Sequence, residues 1–207
     1  MSQYRYGSTS DHHLPTDYTL PLPDQIPSEK WRKFLGHLLE LPTRGQIAAL
    51  IVVAVVQALN ETFNPGWEID YQPIHAPDSP ARQLGDITVK VSGQPIRVYE
   101  VTQRLIDSHR VRETFDTKVR ETKLREYVFL GTPTQDSSAR SEALVCSQEG
   151  ADISIEELEA WCFAHLSSLG IHGRKRFAEL LKSLLESELS DQVKHHINEV
   201  IRRQFGD

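Results

Sequence analysis

Leu84-Gly-Asp-Ile-Thr-Val-Lys-Val91, Ser92-Gly-Gln-Pro95 and Ile96-Arg-Val-Tyr-Glu-Val-Thr102 read as strand, turn and returning strand. Ile87, Val89 and Val91 alternate with Asp86, Thr88 and Lys90, so one face of the first arm is apolar and the other polar. A carboxylate sits on each arm, Asp86 on the first and Glu100 on the second. They share a face if the pairing sets Asp86 opposite Glu100, which a three-residue turn at Ser92, Gly93 and Gln94 delivers; a one-residue slip sends one of them to the other side. Like charges directly opposite repel, so such a pair either binds a cation or stays well solvated.

The elements around this hairpin fix the class. Downstream, Val111, Phe115 and Val119 recur at helical spacing within residues 107–123, and Glu126-Tyr-Val-Phe-Leu-Gly131 is a buried strand, so strand, helix, strand predicts a crossover unit. Upstream, Thr43-Arg-Gly-Gln46 is a capping box opening a helix that is apolar on nearly all sides and ends at Asn60, which makes it central. Trp67 to Tyr71 alternates as a strand, and Pro73, Pro77 and Pro80 exclude regular structure over residues 72–83. Five of the eleven prolines (Pro15, Pro21, Pro23, Pro27, Pro42) make residues 1–42 an irregular arm, interrupted by one short helix capped by Ser28 and carrying Trp31, Phe34, Leu35, Leu38 and Leu39. No proline follows Pro133, and Ser154 with Glu157 as a capping box, then Ser190, predict helices over about 155–168, 173–188 and 190–204. The expectation is an α/β protein with a mixed central sheet flanked by helices over residues 43–150 and a helical subdomain over residues 151–207.

Bulk properties narrow the function. A chain of 207 residues with 39% apolar and 25% charged residues is an ordinary globular protein, not a disordered, collagen-like or coiled-coil one. Cys146 and Cys162 lack partners at metal-ligand spacing, so buried thiols are expected in place of structural zinc. The longest apolar run, Ile47 to Val56, is too short to span a bilayer, and residues 1–6 carry no apolar signal core, so a cytoplasmic protein with no membrane partner is expected. A net charge of −6 argues against a surface coated for nucleic acid. Yet residues 104–125 hold seven basic residues against four acids, +3 locally, leaving −9 for the rest.

Gly85-Asp86-Ile-Thr-Val and Tyr99-Glu100-Val101-Thr102, followed by a basic helix and a buried strand, resemble the PD-(D/E)xK nuclease core of many restriction endonucleases. The longer stretch from about Ala81 to Gly131, with Glu-Val-Thr-Gln-Arg-Leu-Ile-Asp and Arg-Val-Arg-Glu-Thr-Phe-Asp-Thr-Lys, is similar more specifically to the SacI family of type II restriction enzymes. The resemblance implies a restriction-endonuclease-like core and Mg²⁺-dependent, sequence-specific hydrolysis of double-stranded DNA. Asp86 and Glu100 would be the metal ligands, with the backbone carbonyl of Val101 as a third. Hard oxygen ligands suit Mg²⁺, which polarises the scissile phosphate and lowers the pKa of the attacking water. Palindromic recognition further implies a homodimer, and no organic cofactor is expected.

The family's third position is usually lysine, and here it is Thr102, whose hydroxyl supplies no charge. Three explanations stand: Lys90 substitutes from a shifted position, Thr102 or Gln103 suffices by hydrogen bonding, or the site does not cut. Glu61, at the end of the central helix, is a further metal-ligand candidate by the same resemblance. His75 in the proline-rich loop can face a phosphate or be an ordinary loop histidine. For DNA the candidates are Arg104, Arg110, Arg112, Lys118, Arg120 and Lys123 of the basic strip, with Arg174, Lys175 and Arg176 at a later helix start. Against this stands a solvated helix face laced with ion pairs. The rival functions are a nuclease-derived module that binds DNA without cutting and a helical interaction protein using the tail.

Overall fold

A computed structural model describes residues 20, 26–73, 84–131 and 137–205. Three strands form an antiparallel meander: β1 (Glu68–Tyr71), β2 (Ile87–Val91) and β3 (Gln94–Val101). Two more, β4 (Glu126–Gly131) and β5 (Asp152–Glu157), add in parallel, giving a five-stranded mixed sheet in the order β1-β2-β3-β4-β5. Seven helices surround it among the described residues: α1 (Ser28–Leu39), α2 (Gln46–Phe63), α3, α4 (Ser137–Gln148), α5 (Leu158–Ser168), α6 (Gly170–Glu188) and α7 (Asp191–Phe205). Helix α3 runs Ser108–Thr114, widens into a π-helical turn at Phe115–Val119 and closes with Arg120–Thr122.

The hairpin reaches the expected register by a different route. Its turn has two residues, Ser92 at φ 50° and Gly93 at φ 74°, the left-handed pair that suits a tight hairpin. Pairing then runs Val91↔Gln94 and Lys90↔Pro95, but Val89↔Arg97, so Ile96 is a bulge. The extra bulged residue does the work assigned to a third turn residue and yields Ile87↔Tyr99.

The sheet is covered on both faces. On one, Val98, Tyr127, Phe129, Ile153 and Ile155 pack against α3 and α4 through Val111, Phe115, Val119, Ala139, Ala143 and Cys146. On the other, Ile87, Val89, Tyr99, Val128 and Leu130 meet α2, and the same core continues through α1, α5, α6 and α7. Helix α2 is central, as its all-round apolar sequence required, with Ile47, Ala48, Leu50 to Val56, Ala58 and Leu59 buried. Its ten-residue apolar run lies within 18 helical residues, enough by length and composition to cross a membrane, yet here it fills the protein's own core.

Several local expectations are corrected. Helix α1 is preceded by Pro27 with no side-chain cap, so Ser28 is its first residue and not its cap. The Thr43 to Gln46 capping box does not form: Gly45 at φ 86° is the N-cap, and the Thr43 hydroxyl only accepts a long 3.4 Å bond from the Ile47 amide. Residues 152–157, read as a lead-in and capping box for a helix, are β5; Ile153 and Ile155 alternate inward, a period that outweighed the Ser154/Glu157 signature. Helix α4, which joins β4 to β5, was missed because its apolar face is made of Ala139, Ala143 and Cys146. His75 lies outside the described residues.

Candidate active site

Asp86 immediately precedes β2. The register Ile87↔Tyr99 sets it opposite Glu100 on the face that carries α3 and α4. Gly85 makes this approach possible: a Cβ there would stand 2.5 Å from Val98 Cγ1 and 2.9 Å from the Tyr99 carbonyl oxygen. The Val101 amide donates to Asp86 Oδ2 at 2.6 Å, tying the first carboxylate to the backbone beside the second. Asp86 and Val101 also line a cleft with Tyr71, Gln72 and the start of α2, of about 300 Å³.

Glu100 is gripped from three sides. The Tyr127 hydroxyl and Lys118 Nζ (3.2 Å) donate to Oε2, and Arg110 Nη2 donates to Oε1 at 2.5 Å. Arg110 Nη1 also donates to the Thr102 hydroxyl at 3.2 Å. Arg110 and Lys118 both come from α3, two turns apart on the flank of its apolar Val111, Phe115, Val119 stripe, with buried Thr114 between them. Tyr127 stands on β4, where β4 starts its parallel pairing with β3.

The two carboxyls respond oppositely. Burial pushes Asp86 above the ordinary aspartate range, and the neighbouring charge of Glu100 adds to the rise, against the Val101 amide bond. Burial also pushes on Glu100, but the Tyr127 hydroxyl, Lys118 and Arg110 outweigh it and hold this carboxyl below the ordinary glutamate range. The Tyr127 hydroxyl is raised by burial and by Glu100, so it stays protonated as a donor. The two carboxyl groups set opposite each other offer oxygen donors only, the chemistry of a hard divalent cation and not of zinc.

Residues 24–132 match the family model of the SacI restriction endonuclease C-terminal domain. The chain belongs to that family. Membership covers just over half of the chain, including both carboxylates, Tyr127 and the whole of α3, and it makes this a DNA-binding, restriction-endonuclease-related protein. No curated protein matches the chain.

Within this family member the sequence-derived candidates scatter. Lys90 forms an ion pair with Asp70 on β1, and these two line a pocket of about 150 Å³ with Thr88 and Asp86. The Thr102 hydroxyl accepts from the Arg104 amide and from Arg110, so it is a strut for the loop and for α3. Gln103 is exposed in that loop. Glu61 pairs with Arg176 of α6, so the two are partners across the helical layer. Among the described residues no three His, Cys, Asp or Glu side chains converge on one point. Arg174 reaches back toward the Leu166 carbonyl at 3.4 Å, and Lys175 is exposed.

The cations of the basic strip divide by partner and position. Arg110 and Lys118 turn inward onto Glu100. Arg112 and Arg120 pair with Glu142 and Glu149 and fasten α3 to α4. Lys123 ends α3 near Glu126, which pairs with Arg97, whereas Glu100 pairs with Phe129; it therefore sits at the other end of the sheet from the carboxylates. Arg104 alone of the strip is both exposed and beside the site. Sequence reading missed Tyr127, which looked like one more apolar strand residue, and the inward aim of Arg110 and Lys118. The available signal was their i, i+8 spacing about Thr114 along the buried stripe.

Proposed function

We propose that this protein cleaves double-stranded DNA at specific sites by Mg²⁺-dependent phosphodiester hydrolysis, with Asp86, Glu100 and the Val101 carbonyl as the ligand set. The observation that carries the reading is the bulged register that sets Asp86 opposite Glu100 in a chain of a restriction-endonuclease family. A PD-(D/E)xK assignment rests on the same pair. Bound there, Mg²⁺ would offset charge on the scissile phosphate and make a water nucleophilic at neutral pH. The chain's own groups prepare the place: the Val101 amide orients Asp86, and Tyr127, Arg110 and Lys118 keep Glu100 ionised. Arg104, exposed next to the carboxylates, is set to contact the DNA backbone. Palindromic recognition would pair two copies about a two-fold axis, each cutting one strand.

The test is digestion of a mixture of plasmids with Mg²⁺ and with EDTA. Discrete fragments in Mg²⁺ alone, lost in Asp86→Ala and Glu100→Ala by about 1,000-fold or more, are expected. Cutting that survives both substitutions places the site elsewhere. A second reading, a module that binds DNA without cutting, is favoured by Thr102 at the lysine position; binding with no cleavage by the parent protein would establish it.

A further inference from the structure

We propose that Lys118, delivered by the π-helical turn of α3, is the catalytic cation of the site and replaces the lysine that Thr102 displaces from β3. The proposal deepens the nuclease reading and rests on it.

Three observations carry it. First, Lys118 Nζ lies 3.2 Å from Glu100 Oε2 and 3.3 Å from the Tyr127 oxygen, while that tyrosine oxygen is 3.1 Å from the carbonyl oxygen of Leu84, two residues before Asp86. Lys118 thus belongs to the cluster around Glu100 and Tyr127, and its charge, like that of Arg110, also bears on Asp86. Second, the turn that bears it is the one irregular turn of α3: Phe115–Val119 is π-helical, and the Thr122 hydroxyl donates to the Lys118 carbonyl at 2.6 Å. A widened turn offsets the residues beyond it against the preceding helix, a local arrangement that recurs at functional sites. Third, each competing cation has a further partner of its own. Lys90 is held by Asp70 on β1. Arg110 takes the other oxygen of Glu100, is braced by Thr102 and lies against the Phe129 ring at 5.9 Å.

A lysine on a flexible stem offers three donors from a compact charge, so Lys118 can keep its contact with Glu100 and present a further N–H to a phosphate oxygen. Its role is electrostatic: it stabilises the negative charge that builds on the scissile phosphate, the task a motif lysine performs from the strand. Thr102 lies two residues beyond Glu100 and its hydroxyl touches the same Arg110, so a lysine at position 102 reaches the same cluster. That makes the charge transferable.

The experiment compares the parent protein, Asp86→Ala, Lys118→Met, Lys118→Gln and the double variant Lys118→Met/Thr102→Lys. Cleavage is measured in Mg²⁺, and DNA affinity is measured by fluorescence anisotropy in Ca²⁺. The expected result is a loss of cleavage of about 100-fold or more in Lys118→Met and Lys118→Gln, the scale of removing one preorganised stabilising group. DNA affinity stays within about threefold, since Lys118 meets a single phosphate and acts mainly on charge that builds only in the transition state. The double variant regains at least a tenth of parent cleavage. If Lys118→Met or Lys118→Gln cuts at the parent rate while Asp86→Ala does not, the proposal is overturned and the nuclease reading stands. A loss that Thr102→Lys fails to repair, or that comes with lost DNA binding in both single variants, marks Lys118 as structural and overturns it too. If the parent protein itself does not cut, the nuclease reading fails and takes the proposal with it.

Discussion

Asp86 and Glu100 face each other across a strand pair, yet their proton affinities move in opposite directions. The difference is in their donors: one backbone amide for Asp86 against a hydroxyl, an ammonium and a guanidinium for Glu100. The consequence for stability has a definite sign. A carboxyl raised above its unfolded value costs stability once ionised, so the Asp86 penalty is absent below about 3.8 and grows as pH rises through the raised value. A lowered carboxyl contributes stability that is present above about 4.5 and lost as pH falls through the lowered value. In EDTA at neutral pH, Asp86→Asn should therefore raise the thermal midpoint and Glu100→Gln should lower it. The Asp86→Asn gain should shrink on acidification; melting curves from pH 4 to 8 check both, and equal midpoints at every pH would refute the assignment.

At the scale of the element, α3 performs three tasks with three sets of cations. Its inner flank holds Glu100, its outer face binds α4 through Arg112 and Arg120, and its far end carries Lys123 away from the site. DNA binding should follow that division and not the count of positive charges. Arg104→Ala should weaken binding across all sequences and reduce the slope of log K against log salt by about 0.9, one phosphate contact. Arg112→Ala and Lys123→Ala should leave the slope unchanged. Arg112→Ala should instead lower the thermal midpoint, because Glu142 and Glu149 lose the partner they share. Titrations at four salt concentrations distinguish these outcomes.

Over the whole molecule, the core on the α2 side of the sheet unites segments from both ends of the described chain. Trp31 of α1 stacks edge-on against Phe177 of α6 with centroids 5.0 Å apart, and Phe34 meets Phe205 of α7 at 5.3 Å. Phe177→Ala should cost about 3 to 5 kcal/mol, as expected for truncating a fully buried aromatic. Because α1, α2 and α6 share that core, tryptophan fluorescence and circular dichroism should report the loss at one common midpoint in urea. Two separated transitions would mean that the helical layer melts apart from the sheet. The charge of the chain also reads differently at this scale. The +3 of the strip does not coat the surface: four of its seven cations are bound by the protein's own acids.

What the amino-acid order determined by itself was local and periodic. Alternation marked β1 to β3, the all-apolar run marked a central α2, and the Val111, Phe115, Val119 spacing marked α3 and its crossover. Asp86 and Glu100 could share a face in one register only, because side chains alternate with a period of two, and the sequence assigned that register to a three-residue turn where a bulge supplies it. Where local signatures met a longer-range demand they lost: Ser154 and Glu157 could cap a helix, but Ile153 and Ile155 had a sheet edge to fill beside β4. The partners of each charge were invisible in the sequence, since an ion pair such as Glu61 with Arg176 joins residues far apart in the chain. Only the packed structure decided that Ile96 bulges, that Tyr127 reaches Glu100, and that Lys118 turns inward. The last two depend on how α3 lies across the sheet, and that placement is fixed by side chains packing from distant segments rather than by any preference of residues 115–119 alone, whereas Ile96 packs on the α2 side.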